Sequence, residues 1–282
     1  MSVATFIPKV WSARLLAHLD KAFVYAKLVN RDYEGEISEY GDTVHINQIG
    51  DIAIKPYSKN GDIEDPDQLA TDEQTMTIDQ GDYFNFYIND VDKAQSRANL
   101  MDPAMQRAGY GLADKADSYL AKILSAGKIT SGLGDDTTPL VVTKDNAYET
   151  LVTIKTALDK QNVPKEGRWI VMPPEFEGFM LLDSRFAGAS GANAEARLME
   201  GAVAKAAGLN IYISNNVPNT ASKKYKVISS YNGAATYAEQ VIKTEAYRRE
   251  KGFDDGVKGL HVYGAKLTRP KEVAVVTANF TA

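Results

Sequence analysis

Apolar and polar positions alternate with a period of two over residues 43–47 (TVHIN) and 51–54 (DIAI). Returning along the chain, Met76 and Ile78 alternate and residues 83–88 (YFNFYI) follow with strand-compatible side chains. That period marks half-buried strands. Between Tyr57 and Gln74 it lapses into a polar stretch holding Asn60-Gly61 and Asp65-Pro66, both turn formers. A connection of this length without periodicity points to a functional loop. Together the runs predict a long β-hairpin arm over residues 34–92. A two-stranded ribbon is marginal by itself in water, so the arm needs a surface to lie on.

The period then changes. Asp102-Pro103 reads as a helix N-cap followed by proline at the first helical position. Met105, Ala108, Leu112, Ala116, Tyr119, Leu120 and Ile123 recur on one face, and Gly127 is a natural stop. The helix predicted over 103–126 is a rod of roughly 36 Å at 1.5 Å per residue. Gly109 and Gly111 weaken it, which suggests close approach of another backbone. Further on, a helix is expected over 146–161, a buried strand over 168–172, and a helix from Pro174 carrying Phe176, Phe179 and Met180. The glycine-rich stretch 186–193 reads as a loop, and 195–200 as a short helix. Strands are expected over 209–214, 226–229, 233–241, 259–267 and 273–277. Near the start, Trp11, Leu15, Leu16, Leu19 and Phe23 recur at helical spacing after Pro8; this helix folds onto its own core or docks on a neighbour. The mixture predicts an α+β fold.

Charge sharpens the picture of the arm. Residues 34–92 hold fifteen acids against Lys55 and Lys59, a net of −13 in a chain whose total is −5. The rest of the molecule is therefore mildly basic. A basic patch on another copy of the chain is the economical surface for the acidic arm. Candidate interface residues are Asp62, Glu64, Asp65 and Asp67 near the tip, with Lys59 beside them and Trp11 in the N-terminal segment. Arg107, Lys115 and Lys122 on the long helix form either a landing strip or a solvated flank.

Catalytic constellations fail one by one. His18, His45 and His261 are isolated, with no HxxxH or HExxH. Cysteine is absent, which removes thiol chemistry, thiolate ligands and disulfides. Gly188-Ala189-Ser190-Gly191 is one residue short of GxSxG. Asp65-Pro66-Asp67 opens like a calcium loop, but Leu69 and Ala70 fall where a ligand and a glycine belong. No metal or cofactor is expected. No run of 18 apolar residues reads as a membrane span, the N-terminus does not read as a secretory signal, and a pI of about 5.4 argues against a dedicated nucleic-acid binder.

Several stretches in order resemble a known family: residues 6–12 (FIPKVWS), 29–36 (VNRDYEGE), 40–44 (YGDTV), 101–105 (MDPAM), 208–218 (GLNIYISNNVP) and 259–270 (GLHVYGAKLTRP). Each is weak alone; the ordered set resembles tailed-bacteriophage major capsid proteins of the Hong Kong 97-type fold. The resemblance implies an N-terminal arm (1–33), an extended loop lying across a neighbour (34–92) and a peripheral domain (93–144) with a spine helix over 103–126. It further implies a mainly axial domain (145–258), with loops such as 186–194 near the local symmetry axis, and a return to the peripheral domain (259–282). It implies self-assembly into hexamers and pentamers of an icosahedral shell around double-stranded DNA, contacted non-specifically, with a portal, maturation of a procapsid, and assembly in the cytoplasm of a host bacterium. Because the arm motif begins by Phe6, a separate scaffolding protein is expected rather than a cleaved extension. Lys59 is the only lysine near the tip and nothing identifies a catalytic glutamate, so covalent crosslinking is not expected. The alternatives are an encapsulin-like cargo compartment and, from another class, a carboxylate-dependent hydrolase.

Overall fold

The computed structural model describes residues 23–33, 40–49, 71–89, 101–183, 205–220, 224–248 and 254–280, with residues 54, 55, 57 and 59 between. Trp11, Asp62, Glu64, Asp65, Asp67, the N-terminal helix and the stretches 186–194 and 195–200 lie outside them.

Strands β1 (Thr43–Ile49) and β2 (Thr71–Thr77) form an antiparallel hairpin in register from Thr43↔Thr77 to Ile49↔Thr71. Strand β3 (Gln80–Asn89) does not continue that hairpin. It pairs antiparallel with β11 (Asp254–Leu267), which pairs in turn with β10 (Ala235–Arg248), giving a three-stranded sheet. The expected return limb of the arm is therefore two structures. The hairpin ends at Thr77, and residues 80–89 belong to the body. The reason lies in the inward positions of β3: Phe84 and Phe86 stack at 5.9 Å and pack on the core under the long helix, more apolar area than a solvated ribbon could leave exposed.

That helix, α1 (Met101–Leu124), starts and stops two residues earlier than expected. Gly127 follows its end, but not for a left-handed turn: a Cβ there would lie 2.6 Å from the Val273 carbonyl oxygen, so the position serves a close approach.

A larger sheet runs in the order β4 (Leu140–Val142), β12 (Ala274–Phe280), β9 (Lys224–Ser230), β5 (Trp169–Met172), β7 (Leu209–Ile213), β6 (Lys205–Ala206), with β8 (Asn219–Thr220) beside β9. Its central strands are apolar at successive positions because both faces are covered. Trp169, Val171, Ile228 and Val275 face the core shared with α1; Ile170, Met172, Val227 and Val276 face the core built with α2 (Ala147–Lys160) and α3 (Pro174–Leu182). Arg168, 3 % exposed, closes the end of α2 by donating to the carbonyls of Val163 (2.6 Å) and Pro164 (2.8 Å) and to Asp159 (2.7 Å). The expected boundaries at 145 and 259 do not coincide with sheet boundaries. Strand β4 precedes residue 145 yet sits in the large sheet, and residues 259–267 and 274–280 belong to different sheets.

Candidate assembly surface

The base of the hairpin is built from alternate residues. Val44, Ile46, Met76 and Ile78 are buried against Ala238 of β10 and Val262 of β11, with Tyr33 packed alongside. His45, Glu73 and Thr75 point the other way and are exposed, with His45 and Glu73 paired across the strands. This part of the arm thus rests on its own body, whereas its composition had pointed to a neighbour. Small residues make that possible. A Cβ on Gly264 would lie 2.5 Å from the Thr77 carbonyl oxygen and 2.8 Å from Ile78 Cδ1.

Where the chain passes from β2 to β3, two carboxylates are held by side chains of the body. Tyr119 donates to Asp79 Oδ1 at 3.1 Å, Tyr263 to Asp82 Oδ2 at 2.8 Å, and Lys115 to Asp82 Oδ1 at 3.0 Å. Tyr40 donates to the Asp79 carbonyl at 2.9 Å. Burial disfavours ionisation of Asp82, but hydrogen bonds from Lys115 and Tyr263 outweigh it and hold the carboxyl below its ordinary pKa. Burial, then the neighbouring Asp79, pushes the Tyr119 hydroxyl up to about 12.

Residues 23–33 are latched to the body by two further buried acids. Asp117 of α1 accepts the Val24 N–H at 2.6 Å and the Ala26 N–H at 3.1 Å. Burial pushes its pKa up to about 6, against the pull of backbone N–H donors from residues 24, 26 and 25. Glu239 of β10 receives Arg31 at 2.5 Å, Tyr237 at 2.8 Å and His261 Nε2 at 2.9 Å. Asn30 also bridges to β10, accepting the Tyr237 N–H and donating to the Ala235 carbonyl. Phe23, Tyr25, Ala26, Leu28 and Val29 are buried in the same core, so this part of the N-terminal arm folds onto its own chain.

Of the expected interface residues, Lys59, Arg107, Lys115 and Lys122 are described, and all are exposed. Lys115 is paired within the chain, with Asp82. Lys115 and Lys122, seven residues apart, share a helix face, while Arg107 is turned from Lys115 by about 80° at 3.6 residues per turn. Arg107 instead lines a cleft of about 750 Å³ with Pro103, Tyr110, Asp114, Ile213 and Asn215. The outer face of the three-stranded sheet is also open, presenting Tyr83, Tyr87 and Leu260. Sequence reasoning missed Asp117 and Glu239. Asp117 had a readable signal: it falls among Ala113, Ala116, Leu120, Ala121 and Leu124 on the buried stripe, where a carboxylate needs donors.

Among the described residues no group of three or more His, Cys, Asp or Glu could hold a metal ion, and no helix is long and apolar enough to cross a membrane. Residues 72–276 match the phage capsid protein family. No curated protein matches the chain. Among solved structures, one from Mycobacterium phage Che8 is 27% identical, covers 90% of both chains and superposes with a TM-score of 0.70. The capsid of Cyanophage P-SCSP1u is 18% identical over 90% of this chain and 86% of that one, with a TM-score of 0.64. A virus-like particle from Pyrococcus furiosus is 15% identical over 94% and 97%, with a TM-score of 0.56, so the fold itself does not separate a phage shell from that particle. The family match does, and it implies a structural, non-enzymatic role. With its α+β Hong Kong 97-type fold, this chain belongs to the phage capsid protein family and is a major capsid protein, a structural subunit of the icosahedral shell.

Proposed function

We propose that the chain closes its shell as hexamers and pentamers by laying the hairpin beyond its seated base over the adjacent copy. Residues 34–77 then act as the extended loop, α1 as the spine of a peripheral domain with the three-stranded sheet, and the large sheet with α2 and α3 as the axial domain. The observation that carries this reading is charge placed on opposite elements. Exposed Arg107 and Lys122 lie along α1, while the connection between β1 and β2 holds Asp62, Glu64, Asp65 and Asp67. Exposed pairs contribute only about 0–1 kcal/mol each, so the charges steer and set register while buried apolar area supplies affinity. Repetition around a closed shell multiplies such small contacts. A separate scaffolding protein, a portal, non-specific contact with packaged double-stranded DNA and assembly in the cytoplasm of a host bacterium complete the proposal.

The test is a fourfold reversal of Asp62, Glu64, Asp65 and Asp67 to lysine. Circular dichroism of the variant should match wild type, and electron microscopy should show no normal shells. Adding Arg107→Glu and Lys122→Glu should restore part of the yield. Normal particles from the fourfold variant would remove charge steering as the cause.

A further inference from the structure

Two independent features meet where the hairpin leaves the body. One is the seat. Successive residues of a strand point to opposite faces of a sheet, and β11 uses this: Val262 lies in the cluster under the hairpin, while Tyr263 lies in the core under α1. Gly264, next in line and paired across the strands with Ala238, faces the hairpin with no side chain at all. Thr77 and Ile78 occupy the space that a side chain would take.

The other feature is the clasp. Immediately after the seat, Asp79 and Asp82 are taken from the α1 side of the sheet by the hydroxyls of Tyr119 and Tyr263 and the ammonium of Lys115. The two tyrosine rings meet edge to face at 5.5 Å, so each hydroxyl is held by its neighbour's packing. The chain is thus held on both faces of β11 within five residues, Ile78 to Asp82. A strand connection held on one side can still pivot; one held on both sides has a single exit direction.

We propose that this junction aims the hairpin within the single protomer, before any neighbour is engaged, with Gly264, Tyr119 and Tyr263 as the positioning residues and a second copy of this chain as the partner aimed at. The proposal rests on the reading that the hairpin bridges copies. The hydroxyl donors suit a permanent brace, since burial and the adjacent carboxylates raise the pKa of both tyrosines above the ordinary value.

The absence of cysteine lets Thr75→Cys on the exposed hairpin face and Ser118→Cys, exposed on α1, carry a pair of spin labels. Distances are measured on the full-length chain below its assembling concentration, and again in shells where labelled chains are diluted with unlabelled ones. A single narrow distribution is expected in the unassembled chain, nearly unchanged in the shell. The double variant Tyr119→Phe/Tyr263→Phe should broaden it, and Gly264→Ala should move its centre. Gly178→Ala, where a Cβ meets nothing within 4 Å, should do neither. A broad wild-type distribution that narrows only in shells would overturn the proposal, as would an unchanged distribution in the tyrosine variant, which keeps the apolar core should Gly264→Ala fail to fold. Imaging the same variants tests the reading beneath. Shells of changed diameter or left open support it. Normal shells from chains whose hairpin has demonstrably moved would overturn the bridging role while leaving the brace itself intact.

Discussion

Replacing Asp117 with asparagine isolates the latch that holds the N-terminal segment. The carboxyl is 1 % exposed, and its pKa is pushed up from the ordinary 3.8 to about 6. That rise corresponds to about 3 kcal/mol at 1.36 kcal/mol per pH unit. The folded state binds this proton more tightly than the unfolded state. The stabilisation is therefore fully present below about pH 3.8 and is lost as pH rises through about 6. Asparagine keeps the shape and one acceptor but does not titrate. In urea unfolding of the full-length chain under non-assembling conditions, wild type should lose roughly 2 kcal/mol of this relative to the Asp117→Asn variant between pH 4 and pH 7.5. Other titrating groups are common to both proteins and cancel in the difference. Asp117→Ala removes the acceptors altogether. Each buried donor left unpaired costs about 1–3 kcal/mol, so amide exchange at Val24 and Ala26 should quicken by roughly 5- to 150-fold. Parallel pH profiles for wild type and the asparagine variant, or unchanged exchange in the alanine variant, would refute the assignment.

Gly111 is exposed on α1, and a Cβ there meets nothing within 4 Å. Gly111→Ala should raise stability by about 1 kcal/mol in thermal unfolding, and a stabilised variant that still closes shells would remove close approach as the reason for this glycine. Glu239→Gln discharges a buried acceptor of Arg31, Tyr237 and His261. It should cost about 3 kcal/mol and open the 23–33 segment to limited proteolysis. Arg168→Met strands two carbonyls and Asp159 at the end of α2. A loss of about 3 kcal/mol in unfolding free energy is expected, with far-ultraviolet circular dichroism unchanged.

Most elements were legible because their signals are local. The 3.6-residue stripe located α1, and apolar runs located β5, β7, β9 and β12. Strands β10 and β11 proved longer than expected. Their outer ends, Glu245 to Arg248 and Asp254 to Lys258, carry ion pairs on an exposed face, and such polar alternation reads as loop. Lys115 was legible as a cation on a helix flank but not as the partner of Asp82, thirty-three positions earlier. No spacing rule relates the two.

Periodicity, caps and the segregation of charge therefore determined, from the amino-acid order alone, an α+β chain with an acidic hairpin and a long helix. Only the tertiary structure decided which strand that hairpin excludes, where its base rests and which acids hold residues 23–33. Those outcomes turn on volume and donor supply between distant segments. Gly264 leaves room for Thr77 and Ile78, and Phe84 and Phe86 draw β3 into the body. The backbone donors of Val24 and Ala26 meet Asp117 only once α1 lies beside them.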